Sequence, residues 1–167
     1  MTTRRPVPES VLDGEESVWS YPRPPRLEPT SARVEVVLGG ETIAITNAAW
    51  RVLETSHPPS YYLPRAAFVA GSAAPAAGIS HCEWKGAATY WTLRGGGREA
   101  LGGAWSFEQP SVAFVAIRGY LSVYPDRVDE CRVDGERVVP QPGEFYGGWI
   151  TSAIKGPFKG LPGTMGW

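Results

Sequence analysis

The stretch Arg33-Val-Glu-Val-Val-Leu-Gly-Gly-Glu-Thr-Ile-Ala-Ile-Thr46 decides the fold class. Two β-prone runs, Arg33 to Leu38 and Glu41 to Thr46, flank Gly39-Gly40. A glycine pair between such runs suits a two-residue hairpin turn, whose central residues take positive φ. The same grammar recurs downstream. Trp50, Val52 and Glu54 alternate with Arg51, Leu53 and Thr55, which predicts a third strand, with a short helical turn at Asn47 as the alternative. Alternation from Ile79 to Leu93 puts Cys82, Trp84, Ala88 and Tyr90 on one face. His81, Glu83, Lys85, Thr89 and Trp91 fall on the other, and Gly86 marks a bend or bulge. Gly95-Gly-Gly97 is a turn. Trp105-Ser-Phe107 and Gly119 to Tyr124 read as short strands, with one or two helical turns from Ser111 to Arg118 between them. Asp134-Gly135 joins Glu130–Val133 to Glu136–Val139 as a further hairpin. The expectation is a mostly β protein: a single compact β-rich domain of short antiparallel strands, a sandwich or barrel.

Around that domain the composition changes. Residues 1–32 are rich in Pro and charge and read as an extended N-terminal arm, because proline fixes φ and restricts its predecessor. Trp19, Tyr21 and Leu27 imply that part of the arm packs on the domain, 33–140. The segment His57-Pro-Pro-Ser-Tyr-Tyr-Leu-Pro64 holds three prolines and must be extended and ordered. The Ala/Gly/Ser stretch from Ala66 to Gly78 reads as a loop, with one helical turn as the alternative. Residues 141–167 are rich in Gly and Pro yet hold Phe145, Tyr146, Trp149, Phe158 and Trp167. A free linker rarely carries so many aromatics, so this extension is expected to lie over the domain, with Phe145, Trp149 and Trp167 covering apolar core.

The chain's 167 residues suit one core, and 43% apolar with 20% charged residues is ordinary for a globular protein. A formal net charge of −1 supplies no basic field for a phosphate backbone, so no nucleic-acid partner is expected. No run approaches the ~18 apolar residues of a membrane span, and no apolar signal core follows the N-terminus, so no membrane partner and a cytoplasmic location are expected. Two cysteines, Cys82 and Cys131, cannot form a disulfide framework, although one bridge is open to them. Arginine outnumbers lysine, and Ala, Gly and Pro are common, which is the usage of a GC-rich bacterial genome. Nothing in the sequence sets the oligomeric state.

Several strings come in a recognisable order: Gly39-Gly-Glu-Thr-Ile-Ala44, Arg51-Val-Leu-Glu-Thr-Ser-His-Pro-Pro59, Tyr61-Tyr-Leu-Pro64, Cys82-Glu-Trp-Lys-Gly86 with Ala88 and Tyr90, Trp105-Ser-Phe107, and Gly119-Tyr-Leu-Ser-Val-Tyr-Pro125. Together they resemble the domain of unknown function 427 family over roughly residues 33–126. The flanks Trp19-Ser-Tyr-Pro-Arg-Pro-Pro25 and Gly147-Gly-Trp-Ile-Thr151 are similar to a long, actinobacterial-type subgroup. The resemblance implies a fold akin to the β-tent of cereblon's ligand-binding domain and methionine sulfoxide reductase B. It implies no settled activity. Members are sometimes labelled nucleotidyltransferase-like, but that chemistry needs paired carboxylates holding Mg²⁺ after a Gly-Ser loop. Gly71-Ser72 is present without an Asp-x-Asp, and Asp126 and Asp129 are too far apart for adjacent ligands on one face.

No motif names a reaction. Zinc would require every Cys and His of the chain in one tetrahedral set, so no metal and no cofactor are expected. Cys82 as a nucleophile would need a base or cation nearby, such as His57 or Lys85. Its predicted face, shared with Trp84 and Tyr90, also suits simple burial. His57 and Glu54 form a candidate acid–base pair, with the ring held by the prolines that follow it. Trp84, Lys85, Tyr62, Trp105 and Tyr124 compose an aromatic-lined pocket with one cation, and the same residues also suit a plain aromatic core. The favoured reading is a small-molecule-binding domain. Trp84, Tyr62 and Trp105 are its walls, with Tyr124 beside them. Lys85 contacts an anion or carbonyl, and Glu83 and His57 orient the ligand. The alternatives are a small enzyme using His57/Glu54 or Lys85 in acid–base chemistry, and an interaction module with no ligand.

Overall fold

The computed structural model describes residues 4–143 and 145–167. Its strands are β1 (Glu16–Ser17), β2 (Arg26–Thr30), β3 (Val34–Leu38), β4 (Glu41–Thr46), β5 (Ala49–Leu53), β6 (Ser60–Tyr62), β7 (Ala73–Cys82) and β8 (Gly86–Gly95). They continue with β9 (Arg98–Ser106), β10 (Ser122–Val123), β11 (Glu130–Val133), β12 (Glu136–Arg137), β13 (Val139–Pro140), β14 (Trp149–Ile150) and β15 (Ile154–Lys155). The helical pieces among the described residues are 3₁₀ turns at Val18–Ser20, Arg65–Ala67, Val112–Ile117 and Pro125–Arg127. The protein is mostly β, built from several small sheets that form no barrel among the described residues.

Three sheets make the body: β12-β11-β3-β4, β10-β9-β8-β7 and β2-β5-β6, each antiparallel throughout. Two turns hold the first pair together. Gly39 and Gly40 have φ of 61° and 77°, and Gly96 and Gly97 have 54° and 77°. Those left-handed conformations strain any residue with a Cβ. The turns also touch each other: a methyl carbon at Gly96 would sit 1.8 Å from Gly39 O. The period-two burial of β3 then points Val34, Val36 and Leu38 at Trp91 and Leu93 of β8, with Leu63, Leu121 and Trp149 completing the main core.

The flanks are tied in by specific contacts. β2, inside the stretch expected as an arm, pairs with β5 along its whole length. β1 pairs in parallel with β15, bringing the two ends of the chain together. Val18, Trp19 and Tyr21 pack with Leu53 and Ile154 in a second cluster that Phe158 and Trp167 cover. Beside it the buried Arg51 guanidinium binds Glu16 through two bonds of 3.1 Å and also reaches Glu28. Burial alone would raise the Glu16 carboxyl, but hydrogen bonds from Arg51 and Tyr21 outweigh it and hold it below the ordinary range.

Several expectations need correction. Ala73–Gly78 is not loop but the first half of β7, an edge strand whose pairing with β8 is interrupted between Pro75 and Ile79. Small residues suit an edge that needs no deep burial, and they carried no strand signal. Gly86 is not a bend within one strand: the chain reverses at Glu83–Lys85, and Gly86 opens β8 opposite Cys82. Trp105-Ser106 ends a nine-residue β9 that starts at Arg98 and runs through Gly102-Gly103. The strand at Gly119–Tyr124 shrinks to Ser122–Val123. In the C-terminal extension Trp149 is fully buried, but Phe145 is 75% exposed and covers no core.

That last difference sets an expected outcome. Trp149→Ala should cost about 3–5 kcal/mol in urea denaturation, the range for emptying a large aromatic site. Phe145→Ala should change stability by less than about 0.5 kcal/mol, as exposed positions do. Equal losses in the two variants would contradict this packing.

Candidate functional site

The hairpin β7–β8 builds one side of the site. In an antiparallel ladder, residues directly opposite share a face. Cys82 opposes Gly86 and Ser80 opposes Ala88, so the even-numbered residues of both strands lie together through Tyr90. The face assignment for Cys82, Ala88 and Tyr90 therefore survives the chain reversal, while Trp91 turns into the main core. Beyond the even face opens a cavity of about 950 Å³.

The cavity gathers residues from distant parts of the chain. Glu54, His57 and Tyr62 come from the β5–β6 region. Cys82, Glu83, Trp84 and Lys85 come from the hairpin tip, Trp105 from β9, and Tyr124 from the end of β10. The candidate site residues Glu54, His57, Tyr62, Cys82, Glu83, Trp84, Lys85, Trp105 and Tyr124 thus line one concavity, although their positions within it differ. Tyr62 is only 1% exposed and lies at the floor, where Trp105 Nε1 donates to its hydroxyl at 3.2 Å. Trp105 and Tyr124 pack with ring centroids 4.5 Å apart. Trp84 and Cys82 are half-buried, and Glu83 is exposed at the tip. Both cysteines are free, and Cys131 is sealed in the main core, where burial pushes its thiol up.

Lys85 was expected on the face away from Trp84, yet it turns inward and is 8% exposed. The tip docks on the segment before the 3₁₀ turn at Val112–Ile117: Ser111 Oγ donates to Trp84 O at 2.7 Å. This swings Lys85 Nζ over the rings of Phe107 and Phe114, 5.7 and 5.6 Å from their centroids. Among the described residues, the sealed side-chain polar atoms without a partner are Ser72 Oγ and Ser122 Oγ. Lys85 Nζ has no hydrogen-bond acceptor among the described residues and is not sealed, so it keeps access to the cavity.

His57 occupies the other end. The turn Glu54–His57 closes through His57 N donating to Glu54 O at 3.0 Å, with Ser56 at φ 73°. Both ends of the chain clamp it: Ser56 N donates to Val18 O and Lys159 N to Ser56 O. Gln141 then settles the imidazole. Its Oε1 accepts from Gly148 N at 3.1 Å and its Nε2 donates to Lys159 O at 2.8 Å, which fixes the amide's orientation. The second Nε2 hydrogen reaches His57 Nδ1 at 3.1 Å, so Nδ1 accepts and the ring proton sits on Nε2. His57 Nε2 lies 3.6 Å from Glu54 Oε2, which also faces Arg23 Nε at 3.5 Å. Burial first, then the positive charges of Lys159, Arg23 and Lys85, lower His57 to about 3. The ring is neutral at neutral pH, and its contact with Glu54 is not an ion pair.

The extension beyond Pro140 supplies residues that the sequence reading missed. Gln141, Tyr146 and Lys159 line the cavity; Tyr146 meets His57 edge-on at 4.7 Å, and Lys159 Nζ stands 5.7 Å from the Tyr146 ring centroid. Gly147 crosses so close to Trp105 that a methyl carbon there would lie 2.4 Å from Cη2. No spacing pattern links these residues to the hairpin; rare lysine was their one signal. Among the described residues no three His, Cys, Asp or Glu side chains group as metal ligands. The Gly71-Ser72 pair lies outside the cavity, and Asp129 is engaged with Gly40 N and Arg98.

The His57 environment has a pH signature. Its pKa is lower in the folded chain, about 3, than the ordinary 6.5. Below pH 6.5 the unfolded chain therefore binds a proton that the folded chain refuses, and stability falls until the pH nears 3. That single site contributes a slope of up to about 1.4 kcal/mol per pH unit. Urea denaturation at pH 7, 5.5 and 4.5 should show wild type losing stability faster than His57→Gln. Parallel profiles would contradict a buried, neutral His57.

No curated protein matches the chain. Among protein families, residues 26–134 of the 167 match the domain of unknown function designated DUF427. That span runs from the first residue of β2 to the Asp134 turn after β11, and it carries the whole hairpin, the His57 turn and the ring cluster of the cavity. On that match the chain belongs to the DUF427 family.

Proposed function

We propose that this protein is a small-molecule-binding domain, with the cavity as its site. The observation that carries the reading is the convergence of Tyr62, Trp84, Lys85, Trp105 and Tyr124 on one concavity of about 950 Å³. That volume suits a metabolite-sized ligand. Rings supply apolar and stacking contact, Lys85 supplies a charge, and the Nε2–H of His57 supplies a donor of fixed direction. A pure packing cluster would leave no such space and no accessible buried cation. The proposal takes the site as free of metal and cofactor, with no nucleic acid or membrane as partner. It takes the chain as cytoplasmic, a location that suits two free thiols. The likeness to a β-tent, and to the longer members of the family, also belongs to this proposal, supported by the stacked antiparallel hairpins and by the ordered contacts of both flanks.

One observation favours an enzymatic alternative. His57 is strongly shifted and stands beside Glu54 in the cavity, which is where catalytic groups are found. The direction of the shift makes the ring a neutral donor rather than a base at neutral pH, so a catalytic His57 would polarise a ligand oxygen.

The test is intrinsic tryptophan fluorescence against a metabolite library, followed by two variants. Ala76→Trp fills the cavity from edge strand β7 and should abolish binding with the fold intact. Lys85→Met keeps the side-chain stem and should weaken an oxygen-bearing hit roughly tenfold or more, since a charge-assisted hydrogen bond is worth about 1.5–3 kcal/mol. Hits that bind Ala76→Trp as tightly as wild type would place the ligand elsewhere and end this reading.

A further inference from the structure

The charges of the described residues on the cavity do not balance locally. Of the two carboxylates among its described lining residues, Glu54 already faces Arg23 at 3.5 Å, and Glu83 is exposed at the hairpin tip. Two ammonium groups, Lys85 Nζ and Lys159 Nζ, have no acceptor among the described residues and lie instead over aromatic rings. Lys85 is the more buried of the two, and a buried cation without an anion is unfavourable unless something completes it. Ring faces compensate only part of the lost hydration.

We propose that the cavity takes a planar aromatic carboxylate, its rings against the Tyr62–Trp105–Tyr124 cluster and its carboxylate on Lys85 Nζ. This rests on the small-molecule reading above and names the ligand class. The choice of carboxylate over phosphate follows from the donors. Phosphate sites collect forked guanidinium groups or a run of backbone N–H groups. Arg127 is the one arginine among the described lining residues, and its guanidinium donates to Gly102 O at 2.9 Å and covers Tyr124 at 4.2 Å. Beside the ring cluster the one compact ammonium is Lys85, which matches a monoanion, while Lys159 stands at the His57 end over Tyr146. Flat rings follow from the site's own: Tyr62 and Trp105 meet edge to face at 6.2 Å, and Trp105 and Tyr124 tilt together at 4.5 Å. His57 presents only an N–H, which also suits an acceptor oxygen and rejects an ammonium.

The experiment compares 2-naphthoate, 2-naphthamide and 2-naphthyl phosphate by calorimetric titration of the full chain. The acid should bind at least tenfold more tightly than the amide and the phosphate ester. Lys85→Met should erase the preference for acid over amide, and Lys85→Arg should restore part of it, with thermal melts showing both variants folded. If the amide or the phosphate ester binds as tightly as the acid, the carboxylate inference is overturned and the pocket reading stands. An acid preference that persists in folded Lys85→Met overturns the assignment to Lys85. If none of the three probes binds, the inference is overturned, and the pocket reading is decided separately by the metabolite screen and Ala76→Trp.

Discussion

Trp149 is where three parts of the chain become one structure. Its indole is fully buried in the main core and stacks on Tyr61 at 4.9 Å. Its Nε1 donates to Val123 O at 3.0 Å, and its backbone N donates to Pro59 O at 2.7 Å. One residue thus pins the C-terminal extension to both the β5–β6 sheet and the end of β10. Everything the extension contributes to the cavity depends on that anchor. With Trp149 in place, Gly147-Gly148 must pass directly over Trp105 and Pro58, where no side chain would fit. Gln141 is then held beside His57, with its amide committed at both ends. Burial of one large aromatic, worth about 1.5–3 kcal/mol in transfer alone, decides the geometry of a polar site several residues away.

The cavity itself is arranged against stability. A well-packed interior leaves few voids, and each buried polar group normally has a partner. Here a lysine from a hairpin tip is folded inward, a histidine is kept neutral by burial and by surrounding cations, and rings that could close on one another leave space. The rest of the fold supplies the compensation. The Arg51–Glu16–Glu28 cluster, the paired chain ends and the glycine contact between two turns all lie away from the cavity. Such a division, with rigid packing around a locally strained recess, is the usual layout of a binding site.

The family match covers β2 to β11 but stops before the residues that close the cavity. Gln141, Tyr146, Gly147 and Lys159 all lie beyond residue 134. The matched part carries the hairpin tip and the His57 turn, while the extension sets the tautomer of His57 and roofs Trp105. Within this chain, then, the recess is a joint product of the DUF427 domain and its own C-terminal flank.

The sequence by itself determined the β character, the hairpin turns at Gly39-Gly40 and Asp134-Gly135, and the shared face of Cys82, Ala88 and Tyr90. These are local matters: positive φ demands glycine or a close substitute, and side-chain direction alternates with a period of two. It also singled out Glu54, His57, Tyr62, Glu83, Trp84, Lys85, Trp105 and Tyr124 along the recess, because large aromatics and rare charged groups stand out in composition alone. Only the tertiary structure decided what those residues face. The reversal at Glu83–Lys85 depends on where the tip docks, and no residue within it dictates a turn. The inward swing of Lys85 depends on Ser111 and the rings of Phe107 and Phe114. The tautomer of His57 depends on an amide 84 positions away. The first half of β7 was invisible because Ala, Gly and Pro carry little strand preference, and only pairing with β8 makes them a strand. Contacts between residues far apart in the chain leave no periodic trace in it, so the recess could be composed from the sequence but not assembled.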